Sequence, residues 1–378
     1  MTTHTSAAAI DDRRITVPAW FNITCALFVF CLLLSPVTGA ASQEHKEYNT
    51  PPDKDGPTKV DIGLYLLDFI YLDQPKQTLR ARYALSLHWK DPRTAFGSTD
   101  NKPDIVIGGE VDERIKYMWW PDPQITNQLG AVTEISKRLL VRPDGDVIYS
   151  SIFVVDTATT LEFRKFPFDR QIVRVEFESF SFSKDELDYK VWSERTGVNP
   201  NFQNDEWILH EMSSTAGIRR LWESESDSYS YVSFHVPVHR RTAYYVWRII
   251  LPFCFFILLS TCVFWMKRES LDRRVSIVVS FALTAVAFNF VVSGFFPNVS
   301  YLTILDAIIL TGYLMCGLTI ISVISFDLFR HHGKIKVWNY GNTAAKFLFP
   351  VLYILIWYSI YEIFMRSSDR IVYLLQHS

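Results

Sequence analysis

Asp272-Arg273-Arg274-Val275-Ser276, continued at helical spacing by Ser280, Leu283, Ala287 and Phe290 and closed by Pro297, is the stretch that decides the fold. The segment is apolar and long enough to span a bilayer. One stripe of it is nevertheless unlike a lipid-facing surface. At 3.6 residues per turn, Ser276, Ser280, Leu283, Ala287 and Phe290 fall on one face. That face runs from charged through hydroxyl to apolar. A single helix encloses no water. Several copies around an axis line a column with hydroxyls at its narrow end and an apolar constriction above. Charged rings and dewetting constrictions are elements from which ion pores are built.

Working outward, three more spans accompany this one. The four run from about 244 to 266 (with Pro252 inside), 272 to 295, 301 to 324 and 344 to 364. Each approaches the ~20 apolar residues that a hydrocarbon core requires. Lys267, Arg268, Arg273 and Arg274 link the first to the second, and Arg330, His331, His332, Lys334 and Lys336 link the third to the fourth. The second-to-third link, Phe296 to Ser300, carries no charge. Basic links stay on the cytoplasmic side, which leaves the N-terminal portion outside. Asp306, at the start of the third span, is an acid at membrane depth and therefore a candidate gating residue.

The N-terminal portion reads differently. The chain has 378 residues, 49% of them hydrophobic, and a net charge of -2. It is too apolar for a disordered protein, too long for one small domain and not basic enough for nucleic acid. Residues 41–241 hold 25 Lys and Arg against 32 Asp and Glu, which marks a water-facing domain. Residues 1–40 read as a signal peptide: Arg13-Arg14, an apolar run from Ala19 to Leu34, then Thr38-Gly39-Ala40-Ala41. A true membrane helix is the alternative. Residues 41–59, with Pro51-Pro52 and Gly56-Pro57, read as a flexible leader. From 60 to 242 short alternating runs are separated by turn signals such as Pro143-Asp144-Gly145-Asp146, the pattern of a β-sandwich. Cys25, Cys31, Cys254, Cys262 and Cys316 all lie outside it, so that domain folds without disulfides.

Trp89-Lys90-Asp91, Trp119-Trp120-Pro121-Asp122 and Phe166-Pro167-Phe168-Asp169-Arg170-Gln171 follow one another in this domain, ahead of the four spans. In that order they resemble the W-x-D, W-x-P-D and F-P-F-D-x-Q segments of the pentameric ligand-gated ion channels, in their bacterial form without the loop disulfide. The cysteine positions of animal receptors correspond here to Thr159 and Val173. The resemblance covers nearly everything after residue 60. It implies an all-β extracellular sandwich followed by an all-α four-helix transmembrane bundle, one fifth of a homopentameric ring in the cell (inner) membrane. A small-molecule agonist would bind between subunits of the extracellular or periplasmic domain, monovalent cations would permeate, and no cofactor, metal or nucleic acid is implied.

The resemblance also implies roles. Asp272 would form an acidic ring favouring cations, against which Arg273 and Arg274 must be weighed, and it also suits a helix N-cap. Ser276 and Ser280 would form the narrow filter, and Leu283, Ala287 and Phe290 the apolar gate. Glu178, Phe180 and Phe182 resemble a segment of the ligand cleft, where a carboxylate beside aromatic faces suits an ammonium group. Trp222, Tyr229 and Tyr231 lie around its capping loop. Ala84 and Ile125-Thr126-Asn127 stand where the family often has aromatics, so a proton is the alternative agonist to a primary amine. Asp169 would pair with Arg240, or with Arg241, in a coupling zone with Pro167, Pro297 and Tyr301. A membrane enzyme is disfavoured: no G-x-S-x-G or phosphate-binding loop occurs, and the exported histidines lack metal-ligand spacing. A non-conducting membrane sensor of the same fold is the remaining alternative.

Overall fold

The computed structural model describes residues 50–97, 100–202, 204–220, 228–266, 270–295 and 298–367. The signal-peptide reading, Trp222, the acidic run 223–227, Lys267, Arg268, Phe296 and Pro297 lie outside the described residues.

Alternating apolar residues build two sheets that face each other. The first contains β1 (Thr58–Asp73), β2 (Thr78–Lys90), β3 (Asp104–Ile107), β5 (Thr133–Val141), β6 (Asp146–Ala158), β8 (Leu187–Val191) and β9 (Gly197–Val198). Its order is β3-β5-β6-β2-β1-β8, with β9 against β1. The second contains β4 (Pro123–Ile125), β7 (Arg170–Ser179), β10 (Trp207–Leu209), β11 (Ser213–Arg220) and β12 (Ser228–Arg240), in the order β10-β12-β7-β4 with β11 on β12. Val60, Ile62, Leu64 and Leu66 of β1, Val173, Val175 and Phe177 of β7, and Val232, Phe234, Val236 and Val238 of β12 are buried on the inner faces. Their period of two is that of a half-buried strand. Each such side chain contributes roughly 1.5–3 kcal/mol by leaving water. β1 begins at Thr58, inside the expected leader, because it pairs in parallel with β8 from Thr58 opposite Leu187.

Tryptophans of the two short motifs close one end of this core. Trp89 meets Trp119 and Trp120 edge-on at 6.1 and 6.0 Å, and Trp120 meets Tyr149 at 4.8 Å. Asp91 is buried and binds Arg93 through the backbone N and through Nε at 2.8 Å. The adjoining turn needs Gly145: its φ is +85°, and a Cβ there would lie 2.6 Å from the Asp91 carbonyl oxygen.

After the short helix α1 (Glu110–Ile115) of the sandwich come four helices long and apolar enough to cross a membrane: α2 (Ala243–Trp265), α3 (Leu271–Val292), α4 (Ile304–His331) and α5 (Ile335–Ser367). Their ends correct the expected spans. Backbone hydrogen bonding continues past the apolar window, so α4 and α5 run through Arg330 and Lys336 and leave a link of His332, Gly333 and Lys334. α4 starts at Ile304 because Thr303 caps it. Thr303 Oγ1 accepts from the Asp306 backbone N at 3.1 Å, while Asp306 Oδ2 accepts from the Thr303 backbone N at 3.0 Å. The acid flagged for gating is thus half of a capping box.

α4 is the central helix, half of its apolar window covered, whereas α3 and α5 are mostly bare. α2 approaches α4 at Gly312, where a Cβ would meet the Phe253 ring at 2.7 Å. It reaches α3 through Phe253 and Phe288, stacked at 4.6 Å.

Candidate functional site: cleft, junction and pore face

The pore-face candidates sit together. Asp272, Ser276, Ser280, Leu283, Ala287 and Phe290 are all exposed on the single chain, Leu283 at 69% and Phe290 at 75%. The opposite side of α3, with Arg274, Val278, Ala285 and Val292, is buried. Ser280 Oγ donates to the Ser276 carbonyl and Thr284 Oγ1 to the Ser280 carbonyl, each at 2.9 Å. This back-bonding leaves hydroxyl lone pairs on the bare face. Arg274 lies about 160° around the helix from Ser276. Its guanidinium donates to Asn342 Oδ1 at 3.4 Å and to the Met266 carbonyl, so its charge is withdrawn from the stripe. Arg273 is exposed at the edge of the stripe, about 60° from Ser276.

The junction between sandwich and helices is built on one ion pair. Arg240, the last residue of β12, donates from Nε to Asp169 Oδ1 at 2.8 Å and from Nη2 to Asp169 Oδ2 at 3.0 Å. Both side chains are buried, at 0% and 1% exposure, so this is no surface pair. The Arg240 Nη1 also donates to Glu206 Oε1 at 2.7 Å, an oxygen that accepts from Tyr245 Oη at 3.0 Å and Gln74 Nε2 at 2.9 Å. The guanidinium carbon is 4.2 Å from the centre of the Trp207 ring and 4.6 Å from that of Phe166. Burial opposes the charge on Arg240, but the hydrogen bonds and charge of Asp169 outweigh it and raise its pKa. Arg241, the other candidate partner, is exposed.

The loop between β6 and β7 lies on the helices. Pro167 is buried and follows a cis peptide bond. Phe166 stacks on Phe295 at 6.4 Å. The Phe163 backbone N donates to Tyr301 Oη at 3.0 Å, the Arg164 guanidinium covers the Tyr301 ring at 4.9 Å, and the Ile304 backbone N donates to the Arg164 carbonyl at 3.0 Å. Within the loop, the Gln171 side-chain amide spans to Glu162: its Nε2 donates to the Glu162 carbonyl at 2.7 Å, and its Oε1 accepts from the Glu162 backbone N at 2.9 Å. Thr159 and Val173, where animal receptors carry cysteines, are both buried.

In the cleft the candidates divide. Glu178 is buried and Tyr231, its cross-strand neighbour, is half-buried, as is Tyr229. Phe180 is 78% exposed. Phe182 turns away: it is half-buried against Trp119 at 5.5 Å and packs on the sandwich core, beyond the end of β7 at Ser179, where strand alternation no longer holds. Arg219 of β11, which sequence reasoning passed over, donates to Glu178 Oε2 and Glu176 Oε2, both at 3.0 Å. Burial works against the Glu176 charge, but Arg219 and then Arg174 hold its pKa below the usual carboxylate value.

A family model described as the neurotransmitter-gated ion-channel ligand binding domain matches residues 38–242. The chain belongs to this family. It is similar to a proton-gated ion channel of Gloeobacter violaceus, 28% identical over 310 residues that cover 81% of this chain and 83% of the relative. It is also similar to the gamma-aminobutyric acid receptor subunit rho-3 of Rattus norvegicus, 24% identical over 313 residues, 80% of this chain and 65% of the relative. For the human rho-3 subunit the figures are 24% over 272 residues, 70% and 57%, so the chain spans well under two thirds of that receptor's length. As a homologue of the pentameric ligand-gated channels it is a multi-pass membrane protein with an extracellular N-terminal domain, and not an enzyme.

Besides Arg219, two other residues at these places went unread: Glu206 and Tyr245, which complete the coordination of Arg240. Asp205-Glu206-Trp207 carries no motif, and its approach to the end of β12 follows from the antiparallel pairing of β10 with β12, Trp207 opposite Arg240.

Proposed function

We propose that the chain assembles as a homopentamer around the bare face of α3, and that the assembly is a cation-selective channel opened by extracellular protons. The observation that carries the pore reading is the stripe itself. An apolar helix in a membrane gains nothing by aligning hydroxyls and one acid on a face its own chain leaves uncovered, unless that face meets water or partners. Asp272 lies within the arc of the stripe, Arg273 stands outside it at its edge and Arg274 is withdrawn from it, an arrangement that supports the cation reading.

Two observations support protons as the stimulus: the similarity to a proton-gated channel, and the pairing of Glu178 with Arg219, which already engages that carboxylate with a cation of the same chain. The exposed Phe180 ring supports a second reading, an uncharged or anionic organic agonist seated between subunits.

Gating would pass through the junction. Arg240 joins the sandwich to α2, and the β6–β7 loop touches Phe295 and Tyr301, so rearrangement of the sandwich biases the far end of the pore helix. The experiment is reconstitution of the full chain in planar bilayers with stepped external pH and a salt gradient. Current on acidification, reversing near the cation equilibrium potential, is expected. Reversal at the chloride potential removes the cation assignment. Silence across the pH range removes the proton assignment.

A further inference from the structure

The outward face of the second sheet carries a charge arrangement that the pore and junction do not include. Arg219 reaches from edge strand β11 across β12 to β7. Its two terminal nitrogens divide between the carboxylates of Glu178 and Glu176, and its guanidinium carbon lies 4.7 Å from the centre of the Tyr231 ring. A second guanidinium, that of Arg174, stands 3.7 Å from Glu176. Two acids thus meet two bases, and the cluster has no net charge.

A carboxylate beside an aromatic face recognises an ammonium ion through two attractions, charge pairing and cation–π contact. Here both are already satisfied by a cation of the same chain. A primary amine entering this place must displace a planar group held by two charge-assisted hydrogen bonds, and must leave that group seeking new acceptors. The tether makes the competition unequal, since Arg219 is present at the high effective concentration of an intramolecular partner.

We propose that Arg219 is a specificity-determining residue: it fills the cation subsite between Glu178 and Tyr231 and so bars ammonium ligands from the cleft. The proposal rests on reading Glu178 and Tyr231 as part of the agonist cleft, and is independent of which stimulus opens the pore.

The test is calorimetric titration of the purified full-length protein with n-propylammonium at neutral pH, with n-propanol as the uncharged control. Arg219→Gln removes the cation. Arg219→Met, which keeps an unbranched chain over the Tyr231 ring, is the second variant should the first fail to assemble by size-exclusion chromatography. The wild type is expected to bind neither probe at millimolar concentration. An assembled variant is expected to bind the ammonium at least about tenfold more tightly than the wild type, the scale of one charge-assisted partner, and not to bind the alcohol. Adding Glu178→Gln should abolish the gain. An assembled variant no tighter than the wild type overturns the assignment, as does a gain that survives Glu178→Gln. Proton-evoked current in the same preparations reports separately. If it is absent while amine binding is gained, the proton reading falls and the Arg219 assignment stands.

Discussion

At the scale of single residues, Arg240 carries the largest concentration of interactions at the junction. Its partners come from the β6–β7 loop, from the segment before β10 and from α2. Breaking a buried pair leaves an uncompensated charge and costs about 3–5 kcal/mol. Arg240→Ala and Asp169→Asn are therefore expected to lower the thermal midpoint and the yield of assembled channel. Arg240→Lys should restore little, because a point charge cannot make two parallel bonds and stack on Trp207 at once. Equal stability of Arg240→Lys and wild type would remove this account. A second residue-scale effect concerns His239, whose Nδ1 lies 2.6 Å from His210 Nε2. Burial, then the charges of His210, Arg170 and Arg241, hold the His239 pKa below the ordinary 6.5. The unfolded chain thus binds more protons than the folded chain between the two values. Stability is full above the unfolded pKa and falls as pH drops from there toward the folded value. His239→Asn should flatten the fall in thermal midpoint between about pH 7 and 5; an unchanged slope would assign the acid sensitivity elsewhere. Asp169 was legible because it sits in a short motif, and its partner only to within two neighbours, Arg240 or Arg241, just ahead of the first span. Arg219 was not: its place beside Glu178 depends on the register of β11, β12 and β7, which no local pattern encodes.

At the scale of elements, α3 was the most legible part of the chain. Its apolar length and hydroxyl stripe are both periodic properties of one segment. Its ends were not legible, since a span counts apolar residues while a helix ends where its caps lie: Ser293 donates from N to the Asn289 carbonyl at 2.9 Å, and α3 stops short of the expected limit. If Leu283 forms the constriction, Leu283→Ser hydrates it and removes the burial of about three carbons per subunit from the closed state. The half-activating pH should rise by several tenths of a unit or more, read from concentration–response curves in bilayers. An unchanged half-activating pH would place the gate elsewhere on the stripe, with Phe290 the next candidate.

At the scale of the whole molecule, sandwich and helices are joined by side chains as well as by the chain itself, and the proposed pentamer would cover the bare face of α3. Asp272→Asn should shift the reversal potential toward the chloride value without altering assembly by size-exclusion chromatography, and an unmoved reversal potential would transfer selectivity to the Ser276 and Ser280 levels. The two-sheet architecture and the four helices were legible from patterning alone, while the sharing of Glu206 by Arg240, Tyr245 and Gln74 joins segments far apart in sequence and follows only from the fold. The Gln171 clasp on Glu162 has a mechanical consequence. Where a covalent bridge would make the loop inextensible, two hydrogen bonds give way under load. Stretched from its ends, the segment 162–171 would lengthen toward about 30 Å at ~3.4 Å per residue. Force applied along the chain would reach the junction through a compliant link that re-forms when tension is released.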